Sequence, residues 1–189
     1  MKAKVQVFDT DAATNAGYVY TTDQRLSSRL ATKNLEDLIL KSVSFEGKKV
    51  LDIGCGDGHF TRKFWERGKP LSMVGVDPAP SAVAVAASKN DDVPQMNFVV
   101  GDGHQLPWRA NSGDRAMIQG VLPHDDQPWE TIAEAFRLAP EVVILEPNGN
   151  NLGLKVIEKV SRYHREQSDA WYAMNGRAQA VLADLRTRS

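Results

Sequence analysis

The stretch Val50-Leu51-Asp52-Ile53-Gly54-Cys55-Gly56-Asp57-Gly58-His59-Phe60 constrains this chain more than any other. Val50, Leu51 and Ile53 read as a buried strand that runs into a glycine-rich turn and then a helix. Gly54, Gly56 and Gly58 give a turn whose backbone can approach a ligand without Cβ clashes. Asp52 is expected to point into that turn from the strand end. A turn of this kind builds a small-molecule site, and the rest of the chain must say for which ligand.

The 189 residues fit one domain, and 42% hydrophobic with 25% charged residues is ordinary for a globular protein. A net charge of −1 gives no nucleic-acid footprint, so no nucleic-acid partner is expected. Cys55 is the single cysteine, which excludes an internal disulfide. The first residues lack the apolar core of a signal peptide, and no apolar run reaches the roughly 18 residues of a membrane span. A cytoplasmic protein is the simplest expectation.

Residues 1 to about 20 show little periodicity, and Asp9, Asp11, Asn15 and Gly17 read as loop. A helix is expected from Thr22 or Asp23 to about Ser42, with Leu26, Leu30, Leu35, Leu38 and Ile39 at helical spacing. Phe60 to Arg67 reads as a helix ending at Gly68 as its C-cap. Further strands are expected at Leu71–Val76, Met96–Val100, Arg115–Gln119 and Val142–Leu145. Helices are expected from Pro80 or Ser81 to about Lys89 and over Gln127–Leu138, the latter with Trp129, Ile132, Ala133 and Phe136 on one face. Alternating apolar strands and helices imply an α/β fold: a Rossmann-like, doubly wound, mostly parallel sheet with its site at the carboxyl ends of the strands.

Asp52, Asp77 and Asp102 stand at or just after the ends of the first three strands. A carboxylate past the second strand can accept both hydroxyls of a ribose. Read singly, each aspartate is equally a turn former or helix cap. Three in register beside the glycines argue for a nucleotide-like ligand. The spacing Asp52-x-Gly54-x-Gly56-x-Gly58 departs from the dinucleotide pattern, which needs a glycine where His59 stands. A pyrophosphate would also be repelled by the acid ahead of the glycines, whereas a ligand carrying ammonium and sulfonium groups would be attracted. An NAD-dependent oxidoreductase is therefore disfavoured.

From these residues on, the chain resembles class I S-adenosylmethionine-dependent methyltransferases over about residues 45–150. Val50 to Phe60 looks like that family's first motif. The resemblance implies that Gly54, Cys55 and Gly56 lie against the methionine part of the cofactor, with Gly58 completing the turn and Asp52 orienting the ligand. It implies that Asp77 binds the ribose, Pro78 packs on the adenine, and Asp102 with Gly103 meets the adenine amino group. Gln119-Gly120-Val121-Leu122-Pro123-His124 resembles the loop facing the methyl group and the acceptor, and Glu146-Pro147-Asn148 the end of strand five.

Methyl transfer needs in-line positioning, and a general base only for a protonated hydroxyl or amine acceptor. His124 is the candidate base; the alternative is that it caps the following helix. Tyr18 and Tyr20 could close over the cofactor or serve as core aromatics. His104 reads as a surface loop residue, and Asp125 and Asp126 as helix N-terminal acids. No cluster has metal-ligand spacing, and Cys55 reads as a small buried residue.

Three segments follow: residues 1–44, an N-terminal loop and lid or cap helix; 45–150, the S-adenosylmethionine-binding core; and 151–189, a carboxyl-terminal helical segment with truncation among its readings. The family's carboxyl-terminal hairpin has no counterpart after Leu152. Strand five is then an open edge in a truncated product, or one covered by residues 165–189, or by a partner chain as in a homodimer. Lys155, Lys159, Arg162, His164 and Arg165 form either a solvated face or an attraction for an anionic acceptor. The reading is a methyltransferase for a small-molecule or lipid-like acceptor. The alternative is a catalytically impaired S-adenosylmethionine-binding protein, such as a truncated or regulatory paralogue.

Overall fold

The computed structural model describes residues 2–18, 21 and 26–146. Two helices come first, α1 (Lys2–Asn15) and α2 (Leu26–Ser42). Then follow β1 (Lys49–Ile53), α3 (His59–Gly68), β2 (Ser72–Asp77), α4 (Pro80–Lys89), β3 (Met96–Val100), β4 (Arg115–Gln119), a short 3-10 turn (Leu122–His124), α5 (Pro128–Leu138) and β5 (Glu141–Leu145). The strands form one parallel sheet in the order β3-β2-β1-β4-β5. This is the α/β, Rossmann-like architecture expected from the alternation of apolar strands with helices. Tyr20, Pro147, Asn148 and everything expected of residues 151–189 lie outside the described residues.

Successive strand residues face opposite sides of the sheet, and each side has its own core. Leu51 and Ile53 join Val76, Ile118, Leu122 and Leu138 on one side. Val50, Met73, Met96 and Met117 join Ile39, Phe45 and Phe64 on the other. Apolar runs predicted the strands: β1, β2 and β4 are covered on both faces, whereas the outer strands β3 and β5 leave Val99, Val100 and Ile144 exposed. β4 begins on Arg115, whose guanidinium lies over the Phe45 ring at 5.7 Å and pairs with Glu141 across the β4–β5 ladder. β5 ends the sheet among the described residues.

Four expectations are corrected. Residues 2–15 form helix α1 where loop was expected. Its docked side carries only buried Ala12 with Val5 and Phe8, packed on Ala79 and Ala82, too sparse a stripe to show as periodicity. Asp9, read as loop chemistry, accepts the Ser81 N–H of α4 at 2.6 Å, and Ala79, at the N-cap, has no side-chain acceptor. In α2 only Ile39 of the apolar set is buried, while Leu26, Leu30, Leu35 and Leu38 are exposed. Its inward face is set by Ile39, by Leu40 and by buried Glu36, which Arg67 holds at 2.9 Å.

The left-handed residue closing α3 is Lys69 (φ 50), not Gly68. Gly68 is the last helical residue, and a Cβ there would stand 3.0 Å from Phe45 and 3.3 Å from Leu40, so its smallness serves packing. Finally, α5 turns a different face inward, and of the expected stripe only Ile132 packs on the core. Thr131, Glu134, Ala135 and Leu138 are buried, whereas Trp129 and Phe136 are exposed. The polar pair can be inside because it is satisfied: Thr131 donates to Asp125, and Glu134 accepts the Leu106 N–H and pairs with Arg137.

Candidate functional site

The glycine turn is folded onto the end of β2. The N–H groups of Gly54 and Cys55 both donate to the Val76 carbonyl, at 2.7 and 3.0 Å. Gly54 has φ +81, and a Cβ there would stand 2.1 Å from Val121 Cγ2, so glycine is required both by conformation and by the loop after β4. At Gly56 (φ +55) the ring of Tyr18 fills the space, 2.5 Å from where a Cβ would be. Gly58 is covered by Ala86, Asn90 and Phe98. Gly56 and Gly58 are therefore glycines because protein packs against them, and Gly54 is the one of the three that reaches the cleft.

Asp57 fastens the N-terminal segment to this turn. It is 2% exposed and accepts the Tyr18 N–H at 3.2 Å, the Thr21 hydroxyl at 2.6 Å and the Lys89 ammonium at 3.2 Å. Tyr18 is thereby held across the turn with its ring buried, edge-on to Phe8 at 5.8 Å.

The strand-end acids take different positions. Asp52 lies beneath the turn, 3% exposed, with Oδ2 accepting the Thr61 hydroxyl at 2.5 Å. Burial pushes its carboxyl up to about 6, and the Thr61 bond opposes that shift. Asp77 lines the cleft. Its Oδ2 accepts the Gly56 N–H and its Oδ1 the Ala79 N–H, both at 2.9 Å. Burial raises it to about 6 against those two bonds. An ionised carboxylate offers about four acceptor positions, so two are left for a ligand. Asp102 is 45% exposed on the cleft wall and touches His104 through Oδ1.

The cleft opens at the carboxyl ends of the strands and encloses about 860 Å³ of space that includes its solvent mouth. It brings together Gly54, Asp77, Pro78, Asp102, Gly103, Gln119, Gly120 and His124 of the expected site residues. Asp52, Cys55, Gly56 and Gly58 stand behind this wall, and Cys55 is buried with its thiol pushed up by burial. A Cβ on Gly120 would meet open space, so the β4 loop leaves room there. Behind that loop, Glu146 accepts the Val121 and Leu122 N–H groups on Oε1, at 2.8 and 3.0 Å. Burial raises its carboxyl to about 8.

Several wall residues were not expected. Val5 and Phe8 reach the cleft from α1, and Phe8 meets the His124 ring edge-on at 5.0 Å. His104, expected on the surface, has a side chain only 12% exposed because Asp102 and Asp125 hold both ring nitrogens. Asp125, expected as a helix N-terminal acid, stands two residues ahead of the Gln127 N-cap, whose N–H it accepts at 2.8 Å; Glu130 is the acid in the first turn of α5, and Asp125 also lines the cleft. The Phe8–His124 and His104–Asp125 contacts join segments distant in sequence, so no local spacing announces them. Among the described residues lining the cleft there are three aspartates and no lysine or arginine.

The methyltransferase domain family matches residues 51–145, about half of the chain. An uncharacterized 37.1 kDa protein of a transposon in Streptomyces fradiae is 28% identical over 171 residues, covering 87% of this chain and 48% of that protein. An uncharacterized methyltransferase of Mycobacteroides abscessus is 30% identical over 100 residues, covering 52% of this chain and 38% of that protein. The chain thus spans about half or less of the curated relatives it matches. Among solved structures, the PH0226 protein of Pyrococcus horikoshii superposes with TM-score 0.59 at 24% identity, over 72% of this chain and 62% of that one. The [4+2]-cyclase SpnF superposes with TM-score 0.59 at 23% identity, over 76% of this chain and 56% of that one. At such identities the two structures show a shared fold. With its parallel sheet, its glycine turn at the end of β1 and the match over residues 51–145, this chain belongs to the methyltransferase domain family, among the class I S-adenosylmethionine-dependent methyltransferases.

Proposed function

We propose that this chain binds S-adenosylmethionine in the cleft at the strand ends and transfers its methyl group to an apolar small-molecule or lipid-like acceptor. The observation that carries the reading is the acidic wall: Asp77, Asp102 and Asp125 line it, and among the described residues the only side chains there able to carry positive charge are His104 and His124. Such a wall suits a ligand bearing ammonium and sulfonium groups and repels a pyrophosphate, which argues against a nicotinamide dinucleotide.

The residues present fit the cofactor. Asp77, preorganised by two backbone N–H groups, would accept the ribose hydroxyls. Asp102 would accept the adenine amino group beside Gly103, and Pro78 would pack on the ring. Gly54, Gln119 and Gly120 would border the methionine end. When bound, the cofactor supplies an electrophilic methyl group on a positively charged sulfur. The chain's own part is to exclude water and align the acceptor, which can supply much of the rate. Val5, Phe8 and Val121 give the apolar surface for that acceptor, and His124, packed edge-on against Phe8, is positioned to take a proton from a hydroxyl or amine.

A second reading, cofactor binding without transfer, draws on one observation. The fold is shared with a protein described as a [4+2]-cyclase, so the fold does not dictate methyl transfer. Calorimetric titration with S-adenosylmethionine, S-adenosylhomocysteine and NAD tests the binding claim on wild type, Asp77→Ala and Asp102→Ala. S-adenosylhomocysteine is expected to bind wild type and to lose at least about tenfold in affinity in each variant, about 1.4 kcal/mol. NAD binding without S-adenosylhomocysteine binding would overturn the reading. Methyl transfer from labelled cofactor to extracted small molecules and lipids then separates the transferase from the non-catalytic binder.

A further inference from the structure

His104 joins the two loops that frame the cleft. Its Nδ1 lies 2.8 Å from Asp102 Oδ1 and its Nε2 2.8 Å from Asp125 Oδ1. A neutral imidazole has one N–H and one lone pair, whereas two carboxylates offer lone pairs only. The Nε2 contact is a hydrogen bond and the Nδ1 contact an ion-pair approach; a neutral ring would set a lone pair against one of the two carboxylates, so both close approaches are favourable only when both ring nitrogens carry protons. One partner is fixed: Asp125 is 8% exposed and is held by the Thr131 hydroxyl at 2.6 Å and the Gln127 N–H at 2.8 Å. The other is more exposed: Asp102 is 45% exposed, and its Oδ1 accepts the His104 N–H at 3.1 Å and lies against the ring at Nδ1. With Oδ1 so engaged, the orientation of Oδ2 toward a ligand depends on His104.

Resting on the cofactor reading above, we propose that protonated His104 is a latch between the β3 and β4 loops and the positioning residue for Asp102, so that cofactor affinity weakens when the imidazole loses its proton. The charged groups facing the ring are Asp102 from its own loop, and Asp125 and Glu130 from the segment that leads into and begins α5. Asp77 and His124 line the same cleft. Burial alone would lower the His104 titration, but the Asp125 hydrogen bond and the surrounding carboxylates outweigh it and raise it above the ordinary histidine value. The latch is therefore closed below this raised titration and opens as pH rises through it.

The test titrates S-adenosylhomocysteine into the full chain, wild type and His104→Gln, at about pH 6 and about pH 9, on either side of the histidine range. Glutamine can meet one carboxylate but carries no charge. Comparing the two proteins at each pH cancels the titration of Asp77 and of the ligand amine, which occur in both. Wild type is expected to bind about tenfold more tightly than the variant at the lower pH, the size of one charge-assisted hydrogen bond. The two should agree within about twofold at the higher pH. A wild-type-to-variant ratio that does not change with pH overturns the latch, because a merely structural defect would persist at both. Ring-carbon NMR titration of His104 in the ligand-free protein gives a second readout. Its midpoint should lie above the ordinary value in wild type and fall in Asp125→Asn; a midpoint unmoved by that substitution also overturns the latch. If S-adenosylhomocysteine binds wild type at neither pH, the cofactor reading and the affinity claim fall together, and the NMR midpoints decide whether His104 still bridges the two loops.

Discussion

Replacing Gly54 by alanine tests how the glycine turn and the β4 loop are fitted together. The residue has φ +81, where a side chain costs about 1–2 kcal/mol. The new Cβ would stand 2.1 Å from Val121 Cγ2 and 3.2 Å from its Cβ and Cγ1. Rotating Val121 does not remove the contact, because its own Cβ stays 3.2 Å away and a β-branched side chain is restricted at χ1. The loop itself must shift, at an overpacking cost of about 1–3 kcal/mol. The expected total is about 2–5 kcal/mol, read as a fall of about 1–2 M in the urea midpoint. Val121→Ala removes the clashing methyls, so the double variant should recover about 1–3 kcal/mol relative to the sum of the single changes. The left-handed backbone cost would persist. Additivity of the two substitutions within about 0.5 kcal/mol would refute the packing argument.

Three further outcomes are expected. Leu138→Ala should cost about 2–5 kcal/mol in urea unfolding and Phe136→Ala no more than about 0.5 kcal/mol, since the first is fully buried and the second exposed. Equal losses would contradict the orientation of α5. Asp9→Ala should destabilise the fold by about 1 kcal/mol through loss of the acceptor for Ser81 N–H, and no loss would place α1 elsewhere. Glu146→Gln should flatten the dependence of stability on pH between about 6 and 8. The Glu146 carboxyl titrates at about 8 when folded, above its ordinary 4.5, so the folded state holds the proton more tightly. Its contribution is full below the ordinary value and is lost as pH rises through about 8. Asp52 and Asp77, raised to about 6, give a slope of the same sign at lower pH that the variant should keep. Urea midpoints across pH that match wild type would refute the assignment.

The strands were legible as apolar runs, the central three because both their faces are covered, and Asp77 and Asp102 because the strands ahead of them were. α1 was not legible, since Ala12, Val5 and Phe8 dock without making a repeating stripe. The inward face of α5 was misread because Trp129 and Phe136 are more apolar than Thr131 and Glu134. Burial of the latter pair depends on Asp125, Arg137 and the Leu106 N–H, partners outside the face itself. Gly56 and Gly58 announced a tight turn correctly but not its cause. Their missing side chains make room for Tyr18 and for Ala86, Asn90 and Phe98, and only Gly54 borders the cleft. His104 escaped notice because Asp102 is a local neighbour with no motif around it, while Asp125 reaches it only through the sheet order, which brings the β3 and β4 loops to the same cleft.

The central claim, that the cofactor occupies the cleft at the strand ends, is tested most directly by mapping backbone amide NMR shifts on adding S-adenosylhomocysteine. The largest changes are expected at Gly54, Asp102, Gly103 and Gly120, with Asp77 and Pro78 traced through Ala79, all on the cleft wall. Little change is expected at Lys41, Glu66 and Lys89, which lie outside that wall. Shifts confined to other surfaces, or none at saturating ligand, would contradict the account.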